Sequence, residues 1–181
     1  MMDTDVLPDL LIVDSVQTAI IDAPARRIDI AGWLLNLPDA EYQRCAPPDH
    51  LAAGSTTTDD GRPMSINVEQ IGGSLMIQHY IAEVHRADHC RMVSLSDLQT
   101  PTGWTKVQVI WDLSIAPLSD ETCKYTNRVT SYPTRGFLNL LDTAGRTFGE
   151  TAAGLQQATD DHNRRETRQY AASIRRKAVA Q

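Results

Sequence analysis

The 181-residue sequence contains only three cysteines and none of the common nucleotide-binding or serine-hydrolase motifs. Cys45, Cys90 and Cys123 are odd in number and widely spaced, and no two of them form a C-x-x-C pair. This pattern argues against a disulfide framework and predicts reduced, buried thiols in a cytoplasmic protein. The lack of G-x-S-x-G, of a P-loop and of G-x-G-x-x-G argues against several common enzyme classes.

Positive charge and long hydrophobic runs are also scarce. The net charge of -6 disfavours nucleic acid and anionic membranes as partners. The apolar run near the N-terminus is short and interrupted by Pro8 and Asp9, so we expect neither a signal peptide nor a membrane span. The length and the hydrophobic fraction of 41% predict one globular domain over residues 1–181 with a single core. The sequence is compatible with several oligomeric states, and a homodimer is one of them.

The first third of the chain is divided by prolines. Residues 13–21 predict a strand, and residues 22–48 predict short helices and turns separated by Pro38, Pro47 and Pro48. Residues 53–63, "AGSTTTDDGRP", are small and polar. They predict a loop or a mobile lid.

From residue 64 onward the hydrophobic period is two. Residues 105–115 place Val107, Val109 and Trp111 on one face and polar residues on the other, which predicts a half-buried antiparallel strand. Residues 122–132 alternate in the same way after a turn, and Gly72-Gly73 separates two further strand-like runs. Both patterns predict hairpins.

After Pro133 the period becomes helical. Apolar residues recur at steps of three or four over about 40 residues, with a break expected near Gly145, Gly149 or Gly154. His162 and Glu166 lie within this stripe, so we expect both to face the interior. The order of elements predicts an α+β fold in which a curved antiparallel sheet wraps around a long C-terminal helix and encloses a cavity.

A buried His and Glu four residues apart have three explanations. They pair with each other, they bind a metal, or the helix end is exposed. A metal site needs further ligands, and imidazole with carboxylate suits zinc or a similar divalent ion. His50 follows the rigid turn "APPD", and Glu69 lies on the strand face opposite its apolar neighbours, so both are candidates.

A second polar set lies in "HYIAEVHRADH". His79, Glu83, His85 and His89 share one strand face by period two. They form either a ladder of metal ligands or an ordinary solvated face. His79 is nearest the middle of the strand, and it is the member expected to reach the cavity.

The stretch "IDAPARRIDIAGWL", followed by antiparallel strands and a long terminal helix, resembles the START-like helix-grip superfamily (SRPBCC, the birch-pollen-allergen type fold). This resemblance covers nearly the whole chain. It implies a hydrophobic cavity for a small molecule.

The order "EYQRCAPPDH", "VEQIGG" and "HNRRE" is similar to that of short motifs in the phloretin hydrolase and diacetylphloroglucinol hydrolase family. Members hydrolyse a carbon-carbon bond with zinc. The resemblance implies that the metal ligands are His50, Glu69, His162 and Glu166. Tyr42 matches the family tyrosine that contacts the phenolic substrate, whereas Ala53 stands where a substrate-binding asparagine is expected.

These observations favour a zinc-dependent hydrolase that cleaves the bond between an aromatic ring and an acyl carbon. The residues expected to orient or protonate the ring are Tyr42, His79 and Tyr125. One alternative is a carrier or sensor that binds a hydrophobic molecule without catalysis, with His162 and Glu166 merely paired. Another is a polyketide-type cyclase or dehydratase that uses the same cavity without metal.

Overall fold

Seven strands form one antiparallel sheet in the order β1-β7-β6-β5-β4-β3-β2 in a computed structural model that describes residues 3–180. The strands are β1 (Val13–Ile21), β2 (His50–Thr57), β3 (Pro63–Ile71), β4 (Ser74–His85), β5 (His89–Thr100), β6 (Gly103–Pro117) and β7 (Cys123–Pro133). The sheet is curved and accompanied by a long C-terminal helix, which is the predicted helix-grip architecture.

Two short helices, α1 (Ile30–Leu35) and α2 (Asp39–Cys45), follow β1, and a 3-10 turn (Ala25–Arg27) precedes them. The predicted C-terminal stripe is divided into α3 (Arg135–Thr143) and α4 (Phe148–Val179). The break falls at Gly145, whose φ of +64° is one that residues other than glycine rarely adopt. Thr147 caps α4 by accepting a hydrogen bond from the backbone N–H of Glu150.

Helix α4 packs mainly against β1 and also contacts α2, β3 and β7. Its buried side chains repeat at helical spacing, and they are Thr151, His162, Asn163, Glu166, Thr167, Tyr170, Ala171, Ser173, Ile174 and Ala178. The prediction that His162 and Glu166 face the interior is therefore confirmed. In the described part of the chain, no helix is long and apolar enough to cross a membrane.

The predicted loop at residues 53–63 is wrong. Most of it is a β-hairpin, in which β2 pairs with β3 and only residues 58–62 form the turn. Backbone bonds close this turn, with Thr58 N–H donating to Arg62 O at 2.9 Å. β2 lies at the edge of the sheet, and its side chains after His50 are exposed or half-buried, so it has no apolar alternation to reveal it.

Strands β6 and β3 present opposite kinds of side chain to the interior. On β6 the buried positions include Val107, Val109 and Leu113, as the alternation predicts. On β3 the buried face is polar throughout and consists of Ser65, Asn67 and Glu69. Glu69 lies on this inward face of β3 and therefore faces α4.

Candidate functional site

The turn between α2 and β2 brings the first site residues together. His50 begins β2, is 3% exposed, and pairs in register with Glu69 on β3. The His50 ring stacks on the Tyr42 ring with centroids 3.9 Å apart. Because α2 covers β2 at this point, Tyr42 is buried and its hydroxyl donates a hydrogen bond to Glu69 Oε1.

Four buried ionisable side chains converge between β2, β3 and α4. Ligand atoms of His50, Glu69 and His162 all lie within 4.8 Å of one another. Glu166 Oε2 lies 3.2 Å from His50 Nε2 and 3.4 Å from His162 Nε2. The structure thus brings together the four residues that the resemblance to phloretin hydrolase implies as metal ligands, and we call them the polar cluster.

The orientation of both imidazoles is fixed by their outer nitrogens. His50 Nδ1 lies 2.7 Å from the carbonyl oxygen of Tyr42, which can only accept, so Nδ1 carries the proton. His162 Nδ1 likewise lies 2.9 Å from Asp49 Oδ2. Both Nε2 atoms therefore point into the cluster. His50 Nε2 is buried and has no hydrogen-bond partner within residues 3–180.

The electrostatics of the cluster are dominated by Glu166 and His162. Burial alone would lower the pKa of His162, but the Glu166 carboxylate, helped by Glu69 and Asp49, raises it to about 9. Burial alone would raise the pKa of Glu166, but the charge and hydrogen bond of His162, together with the nearby His50 ring, hold it well below its ordinary value. Glu166 therefore remains ionised, and the protonated His162 imidazole balances its charge.

Both carboxylates are held by neighbouring side chains. Tyr42 holds Glu69, and Asn127 Nδ2 donates to Glu166 Oε1 at 2.9 Å. Asn127 is held in turn, because Trp111 Nε1 donates to Asn127 Oδ1 at 2.8 Å. Sequence analysis did not identify Asn127, although an amide in the inward series of β7 is a signal that could have found it.

The polar cluster lies at one wall of a mainly apolar cavity of about 50 Å³ between the sheet and α4. The lining residues are Val13, Glu69, Ile71, Met76, Gln78, Tyr80, Val109, Trp111, Val129, Ser131, Thr159, His162 and Glu166. This space holds a few water molecules, since each needs roughly 10–15 Å³ of such volume. Ile71, Met76 and Thr159 are half-buried members of this lining, so a larger substrate would have to displace side chains such as these.

Two polar side chains in this cavity were missed by sequence analysis. Gln78 Nε2 donates to the Tyr80 hydroxyl at 3.0 Å, which leaves the Tyr80 proton free to bond elsewhere. Gln78 Oε1 is buried without a partner among the described residues. Burial, with Glu69 and Glu166 nearby, raises the pKa of Tyr80 well above its ordinary value, so Tyr80 keeps its proton. Tyr80 thus offers the cavity a donor, and Gln78 offers it an acceptor.

The expectation that His79 reaches the cavity is wrong. His79 is exposed on the outer face of β4, because its neighbours Gln78 and Tyr80 take the inward positions. The other members of that set also lie outside the cavity. Glu83 pairs with Arg91, His85 is exposed, and His89 contacts Asp112. Tyr125, by contrast, is fully buried, and its hydroxyl has no partner among residues 3–180.

No family model matches this sequence, and no curated protein matches it. Solved structures do. Zhui aromatase/cyclase from Streptomyces sp. R1128 is similar with a TM-score of 0.60 and 13% identity over 92% of this chain and 93% of that one. The di-domain aromatase/cyclase StfQ of the steffimycin biosynthetic pathway has a TM-score of 0.62 and 15% identity, over 94% of this chain.

The protein TTHA0849 from Thermus thermophilus is also similar, with a TM-score of 0.53 and 14% identity over 92% of this chain and 97% of that one. This chain spans about half of the di-domain protein, with 53% covered. At these identities the likeness shows the fold alone, and that fold is the START-like helix-grip fold. The resemblance to phloretin hydrolase stays a prediction.

Proposed function

We propose that this protein is an enzyme that acts on a carbonyl group of an aromatic or polyketide-like small molecule, at a divalent metal held by the polar cluster. The observation that carries the proposal is the burial of two histidines and two glutamates with both Nε2 atoms turned inward. Burying such groups costs several kcal/mol unless a partner compensates them. A functional partner explains why they lie in the interior.

The donor set fits a divalent cation. Two neutral imidazoles and two carboxylates neutralise a charge of +2, and the unpartnered His50 Nε2 would gain a partner. Imidazole nitrogen and carboxylate oxygen are ligands of zinc. Zinc bound here would supply Lewis acidity toward a carbonyl oxygen. The residues that would hold it are His50, Glu69, His162 and Glu166.

The cavity beside the cluster suits a hydroxylated ring or an enol. Tyr80 offers a proton to a substrate oxygen, and Gln78 Oε1 accepts one from a substrate hydroxyl. Apolar walls formed by Val109, Trp111 and Val129 would pack on the ring and exclude water from it. Tyr42 keeps Glu69 in place, whereas Tyr125 is buried in the core and is not among the residues that line the cavity.

Cyclisation with loss of water is the reaction that the comparisons favour, because two of the solved structures above are named aromatase/cyclases. In such a step an enol carbon attacks a carbonyl carbon of the same molecule, a carbon-carbon bond forms, and the oxygen leaves as water. The enol hydroxyl loses one proton and the α-carbon loses a second, and the departing oxygen gains both. Buried carboxylates and the Tyr80 hydroxyl are groups that can move these protons.

Hydrolysis of an acyl-aromatic bond is the second candidate, favoured by the ligand set and the order of the three motifs. Here water adds to the acyl carbon, the bond from that carbon to the ring breaks, and the ring carbon takes a proton. The products are a phenol and a carboxylic acid. Both reactions begin at a carbonyl group, so both would use the same cluster.

Metal content is the first test. We expect near-stoichiometric zinc by elemental analysis of protein purified and then supplied with zinc, and none in His162→Ala. His79→Ala is the matched control, because His79 is exposed on the outer face and should not affect binding. A zinc-free wild type would contradict the metal site and favour a carrier in which His162 and Glu166 are simply paired.

Turnover then separates the reactions. Wild-type protein, with and without chelator, is incubated with a linear poly-β-ketone and with a set of acylphenols, and products are identified by mass. A cyclised product supports the first reaction, and a phenol with its acid supports the second. Cyclisation that survives chelation would show that the carboxylates and Tyr80 act without metal. No product from either substrate class would contradict the enzyme proposal.

A further inference from the structure

We propose that Asp49 is the positioning residue of the metal site and sets its affinity by holding His162 in the binding tautomer. This inference rests on the proposed function, because it concerns a metal at the polar cluster. Asp49 is not among the four residues of that cluster. It touches the cluster from outside, and it occupies the position just before His50.

The contacts of Asp49 connect the three segments that supply the cluster. Its peptide bond joins it to His50, and its carbonyl oxygen accepts from the backbone N–H of Gln70, the neighbour of Glu69. Its side chain accepts from His162 Nδ1 on α4 at 2.9 Å. A shift of Asp49 would therefore change the relative positions of ligands that lie far apart in sequence.

The carboxylate of Asp49 has a particular effect on His162. A carboxylate can only accept, so the proton of the neutral imidazole stays on Nδ1 and the lone pair stays on Nε2, which faces Glu166 and His50. The negative charge also makes that lone pair a better donor to a cation. Outer carboxylates that hold a ligating histidine in this way are worth about 10–100-fold in metal affinity.

A second contact keeps the Asp49 side chain in place. Arg165 Nη2 donates to Asp49 Oδ2, and Arg165 Nε donates to Asp161 Oδ2 at 3.0 Å. Arg165 lies one helical turn from Asp161 and three residues from His162, so α4 itself presents both donors to Asp49. The Asp49 side chain is 17% exposed, whereas that of Asp161 is 53% exposed.

The test compares Asp49→Asn with Asp161→Asn. Each change removes one carboxylate that bonds Arg165, but only the first removes the charge that faces His162. Zinc affinity is measured on full-length protein by competition with a chromogenic chelator. We expect Asp49→Asn to bind zinc about 10–100-fold more weakly and Asp161→Asn to bind like wild type. The visible spectrum of cobalt-loaded Asp49→Asn should also change, because the ligand geometry changes.

Denaturant unfolding of the metal-free variants shows whether each is folded. If Asp49→Asn does not fold, Asp49→Glu replaces it in the assay. Because Asp49→Glu keeps the charge, it should retain part of the wild-type zinc affinity. Wild-type affinity and an unaltered cobalt spectrum in folded Asp49→Asn would overturn the inference and leave the metal site standing. An equal loss in Asp161→Asn would also overturn it, since surface charge would then be the cause. Wild-type protein that binds neither metal would overturn the proposed function as well.

Discussion

Strands β6 and β3 both alternate between inward and outward residues, but their inward faces carry opposite kinds of side chain. On β6 the inward residues from Val107 to Ile115 are apolar and most of the outward ones are polar, as in an ordinary half-buried strand. On β3 the inward residues are Ser65, Asn67 and Glu69, while Met64, Ile66 and Val68 are half-buried on the outer face. The difference shows that β6 contributes mainly to the apolar core and cavity wall, whereas β3 contributes Glu69 to the polar cluster.

The buried polar side chains of β3 are stabilised by hydrogen bonds. Ser65 Oγ donates to Asn67 Oδ1 at 2.9 Å, and Tyr42 donates to Glu69. Such bonds offset the cost of burying these groups, but they add little net stability compared with apolar burial. We therefore expect changes on β6 to lower stability, and changes on β3 to lower metal binding.

The largest effect is expected on β6. Leu113 is fully buried, so Leu113→Ala should lower the free energy of unfolding by about 3 kcal/mol through lost burial and the cavity left behind. Urea denaturation measures this loss, and the chelator assay should show unchanged zinc affinity. Weakened zinc binding in a folded Leu113→Ala would show that core and site are not separable.

The second effect is expected on β3. Glu69→Gln keeps the volume of the side chain but removes its charge, so zinc affinity should fall by about 100-fold, equivalent to about 2.7 kcal/mol. Glu83→Gln serves as its control, because Glu83 is an exposed glutamate on the adjacent strand. Equal affinities in the two variants would remove Glu69 from the ligand set.

A smaller effect is expected one step away from the metal. Tyr42→Phe removes the hydroxyl that holds Glu69 and keeps the ring that stacks on His50. Zinc affinity should fall by about tenfold, at the lower end of the range for residues that support a ligand. A loss as large as that in Glu69→Gln would indicate that the hydroxyl itself is part of the binding site.

The smallest effect is expected on the outer face of β3. Ile66 is half-buried there, so Ile66→Thr should change the free energy of unfolding by no more than about 0.5 kcal/mol and should leave zinc binding unchanged. Light scattering measures the molecular mass of both proteins. A large loss of stability together with a change from dimer to monomer would instead show that a second copy covers this face.

Much of the fold was predictable because hydrophobic period reports local structure. The alternation in residues 105–115 and the helical stripe after Pro133 correspond to β6, α3 and α4. The hairpin at residues 50–71 was not predictable, since edge strand β2 buries little beyond His50. An edge strand held almost entirely by backbone hydrogen bonds shows almost no hydrophobic alternation in its sequence.

The candidate site divides in the same way. The helical stripe predicted that His162 and Glu166 face the interior. The order of the motifs predicted His50 and Glu69 as further metal ligands. Period two could not say which face of β4 is inward, so His79 was assigned to the cavity while Gln78 and Tyr80 occupy it. Which face is inward depends on what lies across the cavity from the strand, and there Gln78 and Tyr80 meet the α4 residues His162 and Glu166, about 80 residues further along the chain.

By itself the sequence determined most of the elements, though not the edge strand β2, together with the free thiols and the inward pair on the last helix. All three cysteines are buried, and burial raises the pKa of Cys45 and Cys90 to about 12. Tertiary structure alone decided that Asp49 touches His162 and that Asn127 holds Glu166, because these partners are 113 and 39 residues apart. Local period fixes which residues share a face, whereas only the packing of helix on sheet fixes which faces meet.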